Sequence, residues 1–263
     1  MRRHPSMSTL GIIGAGAIGT RIAQRAIDAG IDVVLANSRG PETLTGTIAE
    51  LGPRARAATP EEAARAGDWV VVSILPLAAY QQLPAAELAG KVVLDTGNYY
   101  ATRDGHVPAL DAGELTTSEY VQQQLPGAHL VKAFNNLSAS HISALARPAG
   151  AADRTALPIA GDDPRAKSSA AELISRLGFD TVDVGPLAES WRFEPETDPY
   201  TLPYCADPDA MRAAWEQFVA ALRSGTAPQP PAADPGAAPL PAARLRSLLA
   251  GTPRTLTADR LIA

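Results

Sequence analysis

One cysteine, three lysines and four histidines make a thin inventory of chemically distinctive side chains, and no stretch approaches the roughly 18 consecutive apolar residues of a membrane-spanning helix. A single Cys205 excludes an intrachain disulfide and an all-cysteine metal site. His4, His106, His129 and His141 lack the close spacing of a ligand pair, so the chain is expected to work in a reducing compartment without a structural metal. The 23 Lys plus Arg against 28 Asp plus Glu leave a net charge of −5 and form no block of one sign. Composition therefore gives no electrostatic reason to expect nucleic acid, and any basic residue that matters should act locally. Arg2 and Arg3 are paired near the start, but glycine-rich sequence follows them, not an apolar run, so neither a secretory nor a twin-arginine leader is expected and the cytoplasm is the expected location. What the 263 residues do have is 46% hydrophobic content, enough for at least one full core.

That content is arranged in a repeating order. "TLGII" (9–13) is a short apolar run ending in glycines. Ile18, Ile22, Ala26 and Ala29 then recur at helical spacing opposite Arg21, Gln24, Arg25 and Asp28, and Gly30 stops the helix. "DVVLA" (32–36) reads as a second strand, "PETLTGTIAEL" as a helix, and "DWVVVSIL" (68–75) as a third strand. "KVVLD", "HLVKAF", "ALPIAG" and "DTVDVG" continue the series to residue 185, for about seven strands. Strand, helix, strand repeated predicts an α/β fold, a Rossmann-type doubly wound, mostly parallel sheet with a small C-terminal helical extension. The expected organisation is a nucleotide-binding domain over 9–185, a small helical and aromatic cap over 186–225, and a Pro/Ala-rich linker and tail over 226–263. In the cap, Asp207-Pro208 begins a helix with Met211, Trp215, Phe218 and Leu222 on one face; the last segment, "AARLRSLLAGTPRTLTADRLIA", has the makings of a short amphipathic helix, read as a tail or a partner-binding arm.

Gly14, Ala15, Gly16, Ala17, Ile18 and Gly19 fit the Gly-x-Gly-x-x-Gly fingerprint between a strand and a helix, the context in which it cradles a dinucleotide pyrophosphate on free N–H groups at a helix N-terminus. About 20 residues beyond, an NAD site carries an acid for the ribose 2′-hydroxyl. This chain has Asn37, Ser38 and Arg39 there. A guanidinium pairs with a 2′-phosphate that a carboxylate would repel, so NADP(H) is the expected cofactor. Ligands in such sheets lie beyond the carboxyl ends of the strands. Ile74, Leu75 and Pro76 are therefore candidate walls for the nicotinamide, with Asn98, Ala133 and Asn135 beside it. Trp191, Phe193, Tyr200 and Tyr204 either cover the acceptor face or pack the cap onto the sheet, two readings the sequence leaves open.

The ordered set "GIIGAGAIG", "NSRGP", "VSILP", "LDTGNYY", "VKAFNN" and "GPLAESW" resembles the family of coenzyme F420-dependent NADP reductases, over roughly residues 9–205, and its nucleotide domain is also similar to that of the six-transmembrane metalloreductases. The resemblance implies a homodimer, and reversible hydride transfer between NADPH and C5 of a deazaflavin. Carried over, Gly14 to Gly19 would hold the pyrophosphate, Ser38 and Arg39 the 2′-phosphate, and Ile74 to Pro76 the nicotinamide. Asn135 falls where the archaeal members, on this alignment, have a histidine, a departure that bears on the acceptor more than on the donor.

A small-molecule hydride acceptor is thus the expected partner, with neither nucleic acid nor membrane. Transfer to a deazaflavin needs positioning more than acid–base help, and coenzyme F420 would be a co-substrate. A ketone or imine acceptor from a biosynthetic pathway is the alternative and would call for a proton donor, for which Tyr99, Tyr100 and Tyr204 are available beside Asn135. A non-catalytic NADP(H)-binding module is the third reading.

Overall fold

The computed structural model describes residues 8–225, 236–255 and 257. Eight strands form one sheet: β1 Thr9–Ile13, β2 Asp32–Ala36, β3 Ala55–Ala58, β4 Trp69–Val72, β5 Val92–Asp95, β6 His129–Lys132, β7 Ala156–Ala160 and β8 Asp180–Gly185, in the order β3-β2-β1-β4-β5-β6-β7-β8. All neighbours pair in parallel except β6 and β7, which meet antiparallel at Lys132 and Ala160. The chain fills one half from β1 outward to β3 and returns to β4 on the other side of β1. A crevice opens at that reversal, beyond the carboxyl ends of β1 and β4.

The strands read as continuous apolar runs because both faces are covered. Leu10, Ile12, Val33, Leu35, Val71, Leu94 and Val131 pack into one cluster with the helices Ala17–Asp28 and Pro164–Arg176; Ile13, Val34, Val70, Val72, Val93 and Leu130 pack into the other. The helix Ala17–Asp28 buries Gly19, Ile22, Ala23 and Ala26, the face its spacing predicts. Asp163 caps Pro164–Arg176 by accepting from the Arg165 and Ala166 N–H groups, a contact that typically stabilises by about 1 kcal/mol.

The eighth strand, β3, has the sequence "ARAA" and pairs only with β2. Four residues of alanine and arginine carry no apolar run to read, and a short edge strand needs none. The third apolar run leaves the sheet at Val72, so Ser73 to Leu75 are loop. "PETLTGTIAEL" begins with the 3₁₀ turn Pro41–Leu44 before the helix Thr45–Leu51.

The aromatic cap resolves in favour of packing at two positions. Phe193 and Tyr204 are fully buried in the main core, and the Tyr204 hydroxyl donates to the Ala156 carbonyl at 3.2 Å and accepts from Asn136 Nδ2 at 2.9 Å. Of the expected tail, residues 226–235, 256 and 258–263 lie outside the described residues. Its middle is part of the body: Ala156 N–H donates to the Leu240 carbonyl, and the helix Ala242–Gly251 buries Leu245 and Leu249 against β7 and β8. The Leu spacing of four residues is the local signal for that docking face.

Candidate functional site

At the crevice the chain forms a groove of about 500 Å³, lined by Ile13, Gly14, Ala15, Gly16, Asn37, Ser38, Arg39, Ser73, Ile74 and Leu75 together with Pro60, Ala79, Gln82 and Leu83. The volume suits a cofactor. Gly14 has φ +118°, and a Cβ there would stand 2.0 Å from the Ser73 carbonyl oxygen. A Cβ on Gly19 would meet the Gly14 carbonyl oxygen at 1.9 Å. These two are glycine because the strand, turn and helix leave no room. Gly16 differs, since nothing among the described residues lies within 4 Å of where its Cβ would be.

Gly16 is also the N-cap of Ala17–Asp28, and no side chain caps that helix. An uncapped N-terminus pointing into a groove offers N–H donors and a positive helix end to a phosphate. Gly16→Ala therefore separates structure from binding. Its φ of −78° accommodates alanine, so stability should change by no more than about 1 kcal/mol. NADPH affinity should fall at least about tenfold, or 1.4 kcal/mol; calorimetric melting beside a cofactor titration reads both.

Asn37 shapes the far end of the groove. Its Oδ1 accepts from Arg39 N–H at 3.0 Å and its Nδ2 donates to Thr43 Oγ1 at 2.9 Å, so the amide holds the turn and is not left over for a ligand. Ser38 and Arg39 project from that turn, exposed. The Arg39 guanidinium enters none of the ion pairs among the described residues. At the opposite wall Leu75 is 64% exposed, the large hydrophobic side chain that the described residues leave in solvent. Ile74 lines the groove beside it, while Pro76 is exposed outside the lining. Groups suited to a pyrophosphate, a 2′-phosphate and an apolar ring thus occur along one groove.

Beyond β5 and β6 the two candidate asparagines are locked together. Asn98 Nδ2 donates to the Asn135 carbonyl at 2.8 Å, and Asn135 Nδ2 donates to Asn98 Oδ1 at 3.0 Å and to the Phe193 carbonyl at 2.9 Å. Asn135 is 5% exposed, and its Oδ1 has no hydrogen-bond partner among the described residues. An unsatisfied buried carbonyl costs about 1–3 kcal/mol. The preceding Phe134 sits at φ 60°, an uncommon conformation for a bulky residue, so strain and an open acceptor coincide at one strand end. Ala133 does not share in this: it is fully buried and its N–H donates to the Asp95 carbonyl.

The tyrosines divide. Tyr99 is buried with its hydroxyl donating to Asp111 Oδ1 at 2.6 Å, and Tyr204 lies in the core, so neither reaches the groove. Tyr100 is half-buried; its hydroxyl lies 2.5 Å from that of Tyr200, which in turn accepts from Asn98 Nδ2 at 3.4 Å. Burial, then the neighbouring Tyr200, pushes the Tyr100 hydroxyl well above the usual phenol range, and burial pushes Tyr200 up as well. Arg103 stacks 4.9 Å over the Tyr100 ring but is engaged by Asp104 at 2.7 Å. Asp104 is below the usual carboxylate range: burial would raise it, but Arg103 and the N–H groups of Leu77 and Tyr100 outweigh burial.

Asp95 and Lys132 open the strand-end stretches that carry Asn98 and Asn135, and the sequence assigns neither a role. Both are fully buried, 3.4 Å apart, at the ends of β5 and β6. Opposite charges closing adjacent apolar runs were the available signal.

Known proteins resemble this chain in sequence and fold. A family model described as NADP oxidoreductase, coenzyme F420-dependent, matches residues 9–99, from β1 through the β5 turn. A solved structure of a hypothetical protein from Sinorhizobium meliloti is 36% identical with a TM-score of 0.59, covering 70% of this chain and 88% of that one. The chain belongs to the coenzyme F420-dependent NADP oxidoreductase family. A second solved structure, from Arthrobacter sp. FB24 and provisionally described as an F420-dependent NADP-reductase, is 25% identical with a TM-score of 0.59, over 84% of this chain and 96% of that one. The metalloreductase STEAP3 of Rattus norvegicus is 30% identical over 187 residues, which make up 70% of this chain and 35% of that protein. The chain spans less than half the length of the curated relatives it matches. Among the described residues no helix is long and apolar enough to cross a membrane.

Proposed function

We propose that this protein is an NADPH-dependent oxidoreductase that transfers hydride between NADP(H) and a deazaflavin of the coenzyme F420 type. The observation that carries the donor half is the groove itself, with Gly16 open at an uncapped helix N-terminus, Arg39 in no ion pair among the described residues at one end and Leu75 exposed at the other. In this reading the N–H groups after Gly16 hold the pyrophosphate, Ser38 and Arg39 hold the 2′-phosphate, and Ile74 with Leu75 walls the nicotinamide. Asn135 Oδ1, held in place by Asn98, accepts from the ring's carboxamide. Bound NADPH supplies the hydride, and the chain's work is to seat and orient it while keeping water out.

The tyrosines support an acceptor that takes its proton from solvent. With Tyr99 and Tyr204 committed elsewhere, the hydroxyl pair Tyr100–Tyr200 is what remains, and its raised pKa makes it a poor acid at neutral pH. The same pair is the observation that favours the second reading, reduction of a small ketone or imine. Tyr100→Phe distinguishes them. Loss of a placed general acid costs about 10²–10⁴-fold in kcat; on a deazaflavin the expected loss is below about tenfold.

The reading is tested by mixing purified protein and NADPH with coenzyme F420, flavins, ketones and imines in turn. Stoichiometric NADPH oxidation with the deazaflavin supports it. Oxidation with a ketone or imine alone moves the assignment to the second reading, and tight NADPH binding without turnover on any acceptor leaves a binding module. A homodimer belongs to the same proposal. Met211, Trp215 and Phe218 are all partly exposed on the helix Pro208–Arg223, and sedimentation should give twice the chain mass.

A further inference from the structure

Three strand ends that build the candidate site converge on one buried carboxylate. Asp95 Oδ1 accepts from the Tyr80 hydroxyl at 2.5 Å and from Gly97 N–H at 3.0 Å; Oδ2 accepts from Lys132 Nζ and from Ser118 Oγ, each at 3.4 Å. All four side chains are at most 1% exposed. Each donor comes from a different element. Tyr80 belongs to the 3₁₀ turn Leu77–Gln82, whose Ala79 and Gln82, with the adjoining Leu83, line the groove. Gly97 immediately precedes Asn98. Lys132 ends β6, three residues before Asn135, and also donates to the Gly97 carbonyl. Ser118 lies in the helix Thr117–Gln124, whose Thr117 N–H and hydroxyl donate to Glu194, the residue after the Phe193 whose carbonyl accepts from Asn135.

The N–H and carbonyl of Gly97 are thus gripped by Asp95 and Lys132, so the turn that carries Asn98 cannot shift without breaking a buried charged contact. Tyr80 extends that grip to the groove wall. Burial, reinforced by Asp95, keeps the Tyr80 hydroxyl well above the usual phenol range, so it remains a donor at any working pH.

We propose that Asp95, Lys132 and Tyr80 are positioning residues that hold the Asn98–Asn135 pair in register with the groove wall. The inference rests on the NADPH oxidoreductase reading above. It assigns this cluster a role beyond stability: seating of the nicotinamide against Asn135 depends on Tyr80, although Tyr80 lies in the interior and only its neighbours line the groove.

Tyr80→Phe tests it, since the change deletes one oxygen and keeps the ring volume. Ser169→Ala is the control, deleting a hydroxyl that accepts from Trp69 Nε1 at 2.8 Å, away from the site. For Tyr80→Phe the expected result is NADPH affinity within about threefold of the parent, kcat lowered about tenfold or more, a larger isotope effect with 4-deuterated NADPH, and bound-nicotinamide fluorescence shifted toward that of the free cofactor. The control should alter none of the four. A lowered melting temperature with unchanged kcat, isotope effect and fluorescence would overturn the proposal and leave the cluster purely structural. Should Tyr80→Phe fail to fold, Ser118→Ala takes its place with the same two opposed outcomes. Failure of the unmodified protein to bind NADPH would instead refute the oxidoreductase reading; the fluorescence readout, which needs no acceptor, tells the two failures apart.

Discussion

Replacing Lys132 by methionine is expected to destabilise the protein by about 3–5 kcal/mol, the usual consequence of removing one member of a buried ion pair. Asp95 and Lys132 are both fully buried, and methionine matches the length of the lysine stem but leaves the carboxylate without its cation. Tyr80, Gly97 and Ser118 still donate to Asp95, which places the expected loss toward the lower end. For a chain of this size it corresponds to a fall in melting temperature of roughly 6–12 °C. Pairing the change with Asp95→Asn should recover a substantial part, because the penalty lies in the uncompensated charge and not in the missing contact. A loss below about 1 kcal/mol in the single variant would mean that water reaches Asp95, contradicting its burial.

Arg39→Asp should produce the largest change in binding. The guanidinium is exposed, in no ion pair among the described residues, and at the groove's far end, on a turn held by Asn37 and Thr43. Hydrogen bonds to charged groups contribute about 1.5–3 kcal/mol, and the variant also sets a carboxylate against the 2′-phosphate. NADPH affinity is expected to fall about a hundredfold, or 2.8 kcal/mol. NADH should change by less than about threefold, since an acid there can accept from a ribose 2′-hydroxyl. Isothermal titration with each cofactor reads the difference; equal weakening of both would remove Arg39 from phosphate recognition and leave it a surface residue of the turn.

The donor half of the candidate site was legible as a groove because its determinants are local. Gly14, Gly16 and Gly19 sit between a run of apolar residues and a helix of 3.6 period, and the residues that close the second strand are read directly as Asn37, Ser38 and Arg39. Each requirement there is met within a few positions, and the eight-stranded sheet adds to the expected seven only a short edge, Ala55–Ala58. The acceptor half depends on contacts between distant segments. Phe193 and Tyr204 belong to a stretch without periodicity, so nothing local says which way an aromatic ring turns; both turn into the core. Tyr80, Ser118 and Lys132 lie 15 to 37 positions from Asp95, and each looks like an ordinary strand-end or helix residue until the sheet brings them together. Leu245 and Leu249 carried a helical signal, but only the surface that β7 and β8 form together shows where that helix docks.

Which dinucleotide the groove takes decides between these roles most directly. Titrating the unmodified protein with NADPH, NADH and adenosine 2′,5′-bisphosphate, with heat as the signal, measures it without reference to any acceptor. NADPH is expected to bind at least about tenfold more tightly than NADH, a difference of 1.4 kcal/mol or more, and the bisphosphate should compete with it at the Arg39 end. Equal affinity for the two dinucleotides, or binding of neither, would contradict the assignment of Gly16, Ser38 and Arg39 to an NADP(H) site.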